Sequence, residues 1–567
     1  MTQNTDVIII GAGGGGSVVA KELGEKGINV VLLEAGPWYG NKKWPTPNQE
    51  HGAVSSSEAD DLSIEILHKC FTNYESDMND IITGKLRWGP ADRSQNTWNR
   101  NIPQVGFAWQ SSGVGGSTLL YFANSPRAFQ IAMDGIWPIS YREMIPYYEK
   151  VEAALSVSPA PMTSKEELFF YGAKKAGWSL LRTLNVTSPG YRPQPNAILS
   201  PPTNINDSNF KFDGNSEGCT LCGHCVNGCC IGPKVEKAAK RSTLVSYIPY
   251  ALKTGRVEVR PNTFVTTILA EKDKEEGLKS VGVRFRDTWT GEIGELNAKV
   301  VVMAAGTIES PRLWLNSKLP GNPWVGKGLT NHWFDCVAGI FDEKVLLDVI
   351  GTSSAEPYIG QNSAARFDYP GLGVIQLLGI SPGLHSTILY SLSNDGYNFL
   401  RQPNPTEPWD IKGRVVGKEL TEFMTEYPRT LSVLIFTDDE VNQKNGVTLD
   451  TFLRDAHGRI PKIKYEPSNT DKKKRDTLCV IAADILKKAG AKRIIRPNLP
   501  PGLFIHIEST MRMGYVTDSD CEALQVKRLY IADNSVHYNS LGGPNPTLTT
   551  QALAVRTAEK LVNKYFN

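Results

Sequence analysis

The sequence predicts an α/β protein with a dinucleotide-binding parallel sheet and a second, substrate-binding lobe. Three observations indicate this fold class. A short apolar strand near the N-terminus runs into a glycine-rich turn and a helix. Two later apolar runs, 300–303 and 529–532, are typical of parallel strands that are buried on both faces. The chain of 567 residues is too long for one ordinary hydrophobic core, so two or more lobes are expected.

The first element is a buried strand that leads into the glycine-rich turn. Residues 7–10 are a continuous apolar run, as expected for such a strand. Gly11, Gly13 and Gly16 follow in the spacing G-x-G-x-x-G. The first glycine permits a tight turn, the second lets the backbone approach a pyrophosphate, and the third lets helix and strand pack closely.

A helix over 17–26 and a second strand over 29–33 complete this unit. The helix N-terminus would face the phosphates with free N–H groups and the positive end of its dipole. Glu34 ends the second strand, where it is placed to accept hydrogen bonds from a ribose. This context predicts dinucleotide binding, and an acid at this strand end favours FAD or NAD over NADP. The alternative is a glycine-rich turn that binds no ligand.

Later segments extend the same sheet. The run 300–303 precedes a turn at Gly306, and 529–532 precedes a helix predicted over 547–562. Between 257 and 298, apolar and polar residues alternate, which predicts a small antiparallel excursion from the sheet.

Charge and composition exclude several classes of partner. Sixty-one basic and 59 acidic residues leave a net charge of +2, which offers no footprint for nucleic acid or an anionic membrane. No apolar run approaches the roughly 20 residues that cross a bilayer. The first residues show no basic region or cleavage site, so we expect a cytoplasmic protein with reduced cysteines.

Further motifs follow one another along nearly the whole chain. They occupy 34–36, 113–118, 123–127, 137–152, 304–312, 506–514, 529–535 and 543–549. Together they resemble the glucose–methanol–choline family of FAD-dependent oxidoreductases. Within that family, 545–547 is most similar to the branch of sugar oxidases and sugar dehydrogenases.

The resemblance implies a set of residues that bind FAD. They are Gly11, Gly13, Gly14, Gly16, Glu34, Gly115, Gly116, Ser117, Thr118, Asn124, Ala305, Asp533, Asn545, Pro546 and Thr547. Some family members attach FAD through a histidine in the second glycine-rich loop, but no histidine occurs between 116 and 121 here, so non-covalent binding is expected. The helix start at 545–547 would stabilise negative charge on the reduced flavin.

The resemblance also implies a division into lobes. The FAD-binding domain would comprise 1–50, 85–130, 235–331 and 500–567, and the substrate-binding domain 131–215 and 332–499, with a cysteine-rich loop at 216–234. The substrate lobe would be an antiparallel sheet flanked by helices. One of these is an amphipathic helix around 478–486, which starts with a basic run, 472–475, expected to face solvent. Tyr390, Tyr397 and Trp409 are either pocket or core residues.

Two residues carry the predicted chemistry. The alcohol must lose its hydroxyl proton and pass a hydride to flavin N5. Histidine suits the base because its ordinary pKa is near neutrality. His506 lies in the segment that resembles the family's catalytic histidine, and Asn545 matches the second member of the family's His–His or His–Asn pair. His537 is interpreted as structural, and His332 resembles a family position that is usually not catalytic.

The cysteine-rich loop leaves three alternatives open. Cys219, Cys222, Cys225 and Cys229 follow the spacing C-x2-C-x2-C-x3-C of bacterial ferredoxins, with Cys230 in place of the usual proline. Some sugar dehydrogenases of the family resemble this region and carry a three-iron cluster. The loop therefore holds a [3Fe-4S] or [4Fe-4S] cluster, a zinc ion, which four thiolates also suit, or no metal. His224 is either a further ligand or a solvent-facing side chain.

The function expected from these features is FAD-dependent oxidation of a CH–OH group on a small polar alcohol, such as a sugar, aminosugar or cyclitol. Electrons would leave through the iron–sulfur cluster to an acceptor that the sequence does not identify. One alternative is an oxidase that reduces oxygen, and another is an enzyme for a sterol or long-chain alcohol, which a largely apolar pocket would support. An alternative of another class is a non-catalytic electron carrier.

Overall fold

The computed structural model describes residues 5–41, 89, 98–103, 106–203, 216–226, 228–229, 231–390, 392–393, 395 and 405–567. Its strands are β1 (Val7–Ile10), β2 (Val30–Leu33), β3 (Gly106–Ala108), β4 (Ser158–Pro159), β5 (Gly190–Pro193), β6 (Pro195–Asn196), β7 (Val257–Arg260), β8 (Thr263–Asp273), β9 (Gly277–Asp287), β10 (Ile293–Asn297), β11 (Val300–Met303), β12 (Phe334–Ile340), β13 (Ala365–Tyr369), β14 (Gly373–Leu378), β15 (Ile411–Lys412), β16 (Thr430–Thr437), β17 (Gly446–Asp455), β18 (Gly458–Lys464), β19 (Arg493–Arg496), β20 (Gly502–Phe504) and β21 (Leu529–Ile531).

The helices lie mainly outside these sheets. They are α1 (Gly16–Glu25), α2 (Gln130–Met133), α3 (Tyr141–Ala154), α4 (Ser164–Lys175), α5 (Tyr247–Lys253), α6 (Gly306–Asn316), α7 (Glu343–Ile350), α8 (Pro382–Tyr390), α9 (Gly417–Thr425), α10 (Asn469–Ala489) and α11 (Thr547–Tyr565). Within the described ranges, every helix is too short or too polar to cross a membrane.

A five-stranded parallel sheet forms the first layer, in the order β21-β11-β1-β2-β7. All four residues of β1 are buried, as the continuous apolar run predicts. The central position of β1 places its C-terminal turn between β2 and β11, where both neighbours also end. The parallel sheet and its strands at 300–303 and 529–531 are therefore confirmed.

The antiparallel excursion is confirmed with one correction. Strands β8, β9 and β10 form an antiparallel sheet of their own. The first part of the predicted excursion, Val257–Arg260, belongs instead to the parallel sheet as β7, where it pairs with β2. Its alternation of apolar and polar residues arises because β7 is the edge strand, with one face buried and one partly exposed.

A seven-stranded sheet forms the second lobe, in the order β15-β19-β12-β16-β14-β13-β5. All its pairings are antiparallel except the short β15–β19 pair at one edge. The central strands β12, β14 and β16 are buried throughout, because helices α4 and α10 cover one face. The mixed α/β architecture with a parallel and an antiparallel sheet matches the predicted fold class.

The basic run at the start of α10 departs from its predicted solvent exposure at one residue. Lys472 and Lys473 are exposed, but Arg475 is buried. Its guanidinium lies 3.7 Å from the centre of the Trp333 ring and donates a hydrogen bond to the Leu499 carbonyl. Burial is tolerated because the charge is paired with Asp335 at 3.4 Å.

Candidate active site

A large cavity lies between the parallel sheet and the seven-stranded sheet. One side is formed by the turn after β1, the loop 111–118, the ends of β11 and β21 and the start of α11. The other side is formed by residues of β12, β14, β16 and α8. The cavity thus joins the predicted dinucleotide cradle to the predicted substrate lobe. Of the aromatic residues considered from the sequence, Trp409 is buried in the second lobe, Tyr390 is partly exposed, and Tyr397 lies outside the described residues.

The glycines of the first turn divide into two groups. A Cβ on Gly15 would overlap the carbonyl oxygen of Ala532, and a Cβ on Gly16 would overlap that of Gly11, so these glycines allow close backbone packing. A Cβ on Gly13 would meet no atom closer than 3.9 Å, and one on Gly14 none closer than 3.7 Å. Gly13 and Gly14 line the cavity, where the missing side chains leave room for a pyrophosphate.

The second glycine-rich loop packs directly against the first. Gly116 has a φ of +52°, and a Cβ there would lie 2.7 Å from the Cα of Gly13. The hydroxyl of Thr118 donates to the carbonyl of Gly115 at 2.6 Å and accepts the N–H of Thr243 at 3.0 Å. Both loops therefore present backbone to the same part of the cavity.

Two buried carboxyl groups fix the backbone around the cavity, Glu34 between the two glycine-rich loops and Asp533 at the start of α6. Glu34 accepts the N–H groups of Ala12, Gly36 and Gly113, each at 2.9–3.0 Å. Asp533 accepts the N–H of Gly306 at 2.9 Å and the hydroxyl of Ser310 at 2.6 Å. Burial raises the pKa of both carboxyls, and the bonds from backbone N–H groups oppose that rise. Glu34 lines the cavity, but its visible partners are protein backbone, so its contact with a ribose stays a prediction.

Unpartnered polar atoms point to a bound group in the cavity. The amide nitrogen of Asn124 donates to Asn196 at 2.7 Å, but its Oδ1 is buried with no hydrogen-bond partner among the described residues. The Oε1 atom of Gln376 is likewise buried without a hydrogen-bond partner among the described residues. Both residues line the cavity, so a bound ligand can satisfy these oxygens.

Most of the residues predicted to bind FAD line this one cavity. Gly16 and Gly115 lie behind it, where they shape the two loops, and the remainder face it. Those that face it are Gly11, Gly13, Gly14, Glu34, Gly116, Ser117, Thr118, Asn124, Ala305, Asp533, Asn545, Pro546 and Thr547. The glycine cradle and the unpartnered amide oxygens together fit a bound dinucleotide.

The structure brings His506 and Asn545 together in this cavity. The Nε2 atom of His506 lies 3.2 Å from Nδ2 of Asn545. Asn545 lies two residues before the start of α11, and its Oδ1 accepts a hydrogen bond from Nε2 of Gln376 on β14. The ring of Phe436 on β16 packs against His506 at 4.6 Å between centres.

A chain of hydrogen bonds fixes the tautomer of His506. The carbonyl of Ser540 lies 2.6 Å from Nε2 of His332 and can only accept, so this nitrogen carries a proton. In the neutral ring, Nδ1 of His332 is then an acceptor. It lies 3.2 Å from Nδ1 of His506, which must therefore be the donor. The remaining nitrogen of His506, Nε2, is therefore unprotonated, and its lone pair accepts a hydrogen bond from the Asn545 amide.

The electrostatics of this chain favour a neutral base. Burial lowers the pKa of His506 well below its ordinary value, and His332 and Arg366 lower it further. Burial also lowers the pKa of His332 to about 4. Glu508 lies 3.3 Å from His332 and 3.0 Å from His537, and burial raises its pKa well above the usual range. His332 thus contacts the base directly, whereas His537 is connected to it only through Glu508 and His332.

The cysteine-rich loop lies beside the same cavity. Lys240 donates hydrogen bonds to the carbonyl of Leu119 in the second glycine-rich loop and to that of Cys225, and Val226 lines the cavity. A hydrogen bond between Cys222 and Cys229 raises the pKa of the Cys222 thiol, and burial raises that of Cys225 to about 12.

The thiols as placed do not match the ligand set of a cluster. Within the described residues, no three Cys, His, Asp or Glu side chains are arranged to hold a metal ion. Cys219, Cys222, Cys225 and Cys229 are all free, and Cys230 lies outside the described residues. We therefore assign no step of the reaction to an iron–sulfur cluster.

Three neighbours of the base were missed from the sequence. Gln376 is the one polar residue in the apolar strand segment 374–378, a signal that could have indicated a functional amide. Glu508 stands two residues after His506 and is likewise buried. Phe436 carries no such signal, because it is one of several apolar residues in a strand that is buried throughout, and only the sheet pairing brings it to His506.

Comparisons with known proteins agree with this arrangement. A 2-methyl-1,2-propanediol dehydrogenase from Mycolicibacterium austroafricanum is 26% identical over 99% of this chain and 96% of its own length. A 6'''-hydroxyparomomycin C oxidase from Streptomyces lividus is 25% identical over 98% of this chain and 91% of its own. The crystal structure of pyridoxine 4-oxidase from Mesorbium loti superposes with a TM-score of 0.62 at 14% identity, covering 98% of this chain and 99% of that one.

Two family profiles cover most of the chain. The N-terminal profile of the GMC oxidoreductases matches residues 5–334, and the C-terminal profile matches residues 441–554. The second match includes both His506 and Asn545, and the first includes both glycine-rich loops. GMC oxidoreductases bind FAD, and relatives of this chain are named as alcohol dehydrogenases and oxidases. The chain is an oxidoreductase that belongs to the GMC oxidoreductase family.

Proposed function

We propose that this protein oxidises a CH–OH group of a small-molecule alcohol with non-covalently bound FAD, and that His506 takes the hydroxyl proton. One observation carries the proposal. The unprotonated Nε2 of His506 and the amide of Asn545 converge at 3.2 Å in a cavity that continues into the glycine-rich cradle. The lack of a histidine between 116 and 121 supports non-covalent binding.

The side chains of this site act on the alcohol oxygen. FAD, when bound, supplies the acceptor for the hydride that leaves the alcohol carbon. The substrate hydroxyl would lie between His506 and Asn545, where it donates its proton to Nε2 and accepts a hydrogen bond from Nδ2. The Asn545 amide then stabilises negative charge that develops on the oxygen. Burial excludes water, so the neutral imidazole stays available as the base.

The route by which electrons leave is a separate part of the proposal. A dehydrogenase that uses an acceptor other than oxygen is supported by the name of the Mycolicibacterium relative. An oxygen-reducing oxidase is the alternative, and the name of the Streptomyces relative supports it. Iron analysis of anaerobically purified protein, together with the yield of hydrogen peroxide in air, distinguishes the two.

The substrate class has two candidates. The sequence predicts a polar alcohol such as a sugar, aminosugar or cyclitol, and the name of the Streptomyces relative supports this class. The side chains on the substrate side of the cavity favour the other class, an alcohol with an apolar body.

Substitution of His506 tests the proposal. We expect His506→Ala to retain the visible flavin spectrum but to lower the rate of alcohol oxidation with an artificial dye acceptor by 10²- to 10⁴-fold, as is usual when a general base is removed. His385→Asn is the matched control, because His385 is also buried but bonds Ser432 outside the cavity. An unchanged rate in His506→Ala would contradict the assignment of this residue as the base.

A further inference from the structure

We infer that the substrate side of the cavity selects an alcohol whose carbon skeleton is apolar apart from the hydroxyl that reacts. This inference rests on the proposed function, since it concerns the same site. It concerns the wall that the seven-stranded sheet and α8 present to His506 and Asn545.

One face of the sheet forms the floor of this wall. Phe334 pairs with Phe436 across β12 and β16, and Leu434 pairs with Gln376 across β16 and β14. Residues two apart on a strand point to the same face, so Leu434 and Phe436 share it. All of these residues, and Leu378 two positions beyond Gln376, line the cavity. Gln376 is the one polar side chain in this row.

Helix α8 and its flanks form the side of the wall. Leu384 and Ile388 are four residues apart, so both face the cavity from one side of the helix. Ile380 before the helix and Leu392 after it also line the cavity. Apart from Gln376, the side chains that the sheet and α8 contribute to the cavity wall are therefore aliphatic or aromatic.

The polar groups near the base are few and are concentrated at one point. Gln376 donates to Asn545, Asn545 contacts His506, and these three serve the hydroxyl that reacts. Tyr121 also lines the cavity, but its hydroxyl donates to the carbonyl of Arg241 at 3.0 Å. The row across β12, β14 and β16 offers no other hydrogen-bonding side chain to a ligand.

This distribution of polarity discriminates between alcohols. A sugar or cyclitol carries several hydroxyls, and each must keep a hydrogen-bond partner when it leaves water. The wall offers carbon where those hydroxyls would lie, so a polyol would lose partners on binding. An apolar skeleton instead gains from burial against Phe436, Leu434 and Ile388. The contact between Phe436 and His506 places that skeleton next to the base.

Two pairs of probe compounds isolate this effect. Cyclohexylmethanol and methyl β-D-glucopyranoside both carry a primary alcohol on a six-membered ring, but only the second has ring hydroxyls. Cyclohexanol and myo-inositol form the corresponding pair of secondary alcohols. We expect the holoenzyme to oxidise the apolar member of at least one pair with a kcat/KM at least about 100-fold above that of its polar partner.

Variants of the wall connect that preference to named residues. Leu434→Asn places an amide in the floor, and Ile388→Thr, a smaller change, places a hydroxyl in the side. Each should reduce the ratio of apolar to polar kcat/KM by at least about fivefold. Leu453→Asn is the matched control, since Leu453 is 53% exposed on β17 and does not line the cavity. It should leave the ratio unchanged.

Binding to the His506→Ala holoenzyme gives a readout without turnover. Perturbation of the flavin spectrum should show tighter binding of cyclohexylmethanol than of the glucoside. If the glucoside and inositol bind and react better, the apolar preference is wrong while the proposed function stands. If cyclohexylmethanol binds more tightly but none of the four alcohols reduces the flavin, the preference stands and the proposed function is wrong.

Discussion

At the scale of single residues, the tautomer of His506 is determined by His332, a side chain that does not contact the substrate. Nδ1 of His332 accepts a hydrogen bond from Nδ1 of His506, because the Ser540 carbonyl fixes the proton of His332 on its other nitrogen. His332 also occupies the left-handed backbone region, with a φ of 44°. We therefore interpret it as a residue that positions the base without contacting the substrate.

Substitution of His332 should slow catalysis with little effect on binding. Asparagine tolerates left-handed backbone, so His332→Asn keeps the local fold. Without the imidazole acceptor, His506 is no longer held in the base tautomer. We expect kcat to fall on the order of 10- to 100-fold, as for other residues that orient a catalytic group through its second nitrogen, while the dissociation constant of a substrate analogue changes little. A kcat equal to that of the His385→Asn control would contradict this role.

The pH dependence of kcat/KM should report the same site. Burial, then His332 and Arg366, lower the pKa of His506 well below its ordinary 6.5. Because the unprotonated form is the base, activity is present above the lowered pKa and is lost as the pH falls through it. Glu508 contacts His332 and not His506, and burial raises its pKa, which disfavours the negative charge that would raise the pKa of His506. We expect the acidic limb of the profile to lie below pH 6.5, and a limb at or above that value would argue against a buried neutral base.

The sequence predicted His506 and Asn545 as the catalytic pair because both lie in segments near the C-terminus that resemble motifs of the family. It did not identify Phe436, Leu434 or Gln376, because they come from strands whose pairing joins residues about 60 positions apart. The local sequence pattern indicates that such strands are buried, but it does not indicate which of their faces contacts the base.

At the scale of elements, some glycines of the first glycine-rich loop are needed for folding and another is needed for cofactor binding. Gly15 and Gly16 are required because backbone packs against them, whereas Gly13 faces the cavity with free space around it. The spacing of the motif predicts Gly13 and Gly16, but not Gly15, which occupies one of its variable positions. Their different roles depend on what lies next to each, since Gly15 packs on Ala532, Gly16 packs on Gly11, and Gly13 is nearest to Gly116.

Gly13→Ala should weaken FAD binding without unfolding the protein. The added methyl would contact no protein atom closer than 3.9 Å, but it would occupy the space predicted for the pyrophosphate. We expect the apoprotein to keep its far-ultraviolet circular dichroism and the dissociation constant for FAD to rise at least about tenfold. Gly321→Ala, where nothing lies within 4 Å, is the control. Unaltered FAD affinity in Gly13→Ala would place the pyrophosphate elsewhere.

The parallel-sheet elements follow from the sequence almost to the residue, since β1, β2 and β11 are continuous apolar runs. Strand β7 was misassigned because an edge strand alternates in the same way as an antiparallel one.

At the scale of the whole molecule, the predicted cofactor would lie where the parallel sheet meets one face of the seven-stranded sheet, and Phe334, Leu434 and Phe436 on that face belong to the same hydrophobic cluster as the parallel sheet. The largest hydrophobic cluster includes the parallel sheet, and a second contains much of the antiparallel sheet with α10. The cavity between the two sheets is lined by residues of both, so a bound dinucleotide would contact both lobes. The order of strands in the second lobe could not be predicted, because five of its six pairings join segments distant in sequence.

FAD should therefore raise the thermal stability of the apoprotein. A ligand at 100 times its dissociation constant stabilises the folded state by about 2.7 kcal/mol when it does not bind the unfolded chain. We expect FAD to raise the Tm of stripped protein by at least a few degrees, as measured by calorimetry, and NAD at the same concentration to have no such effect. An equal shift with NAD, or no shift with FAD, would contradict the assignment of the cavity to FAD.

The most direct measurement is a single anaerobic turnover, in which the holoenzyme is mixed with cyclohexylmethanol and with the same alcohol deuterated at the carbinol carbon, and the flavin absorbance is followed in a stopped-flow instrument. If His506 deprotonates an alcohol whose carbon then transfers a hydride, the flavin band bleaches, deuteration slows the bleaching, and His506→Ala slows it by 10²- to 10⁴-fold. Bleaching that is indifferent to His506, or no bleaching with any of the four probe alcohols, would contradict the proposed function.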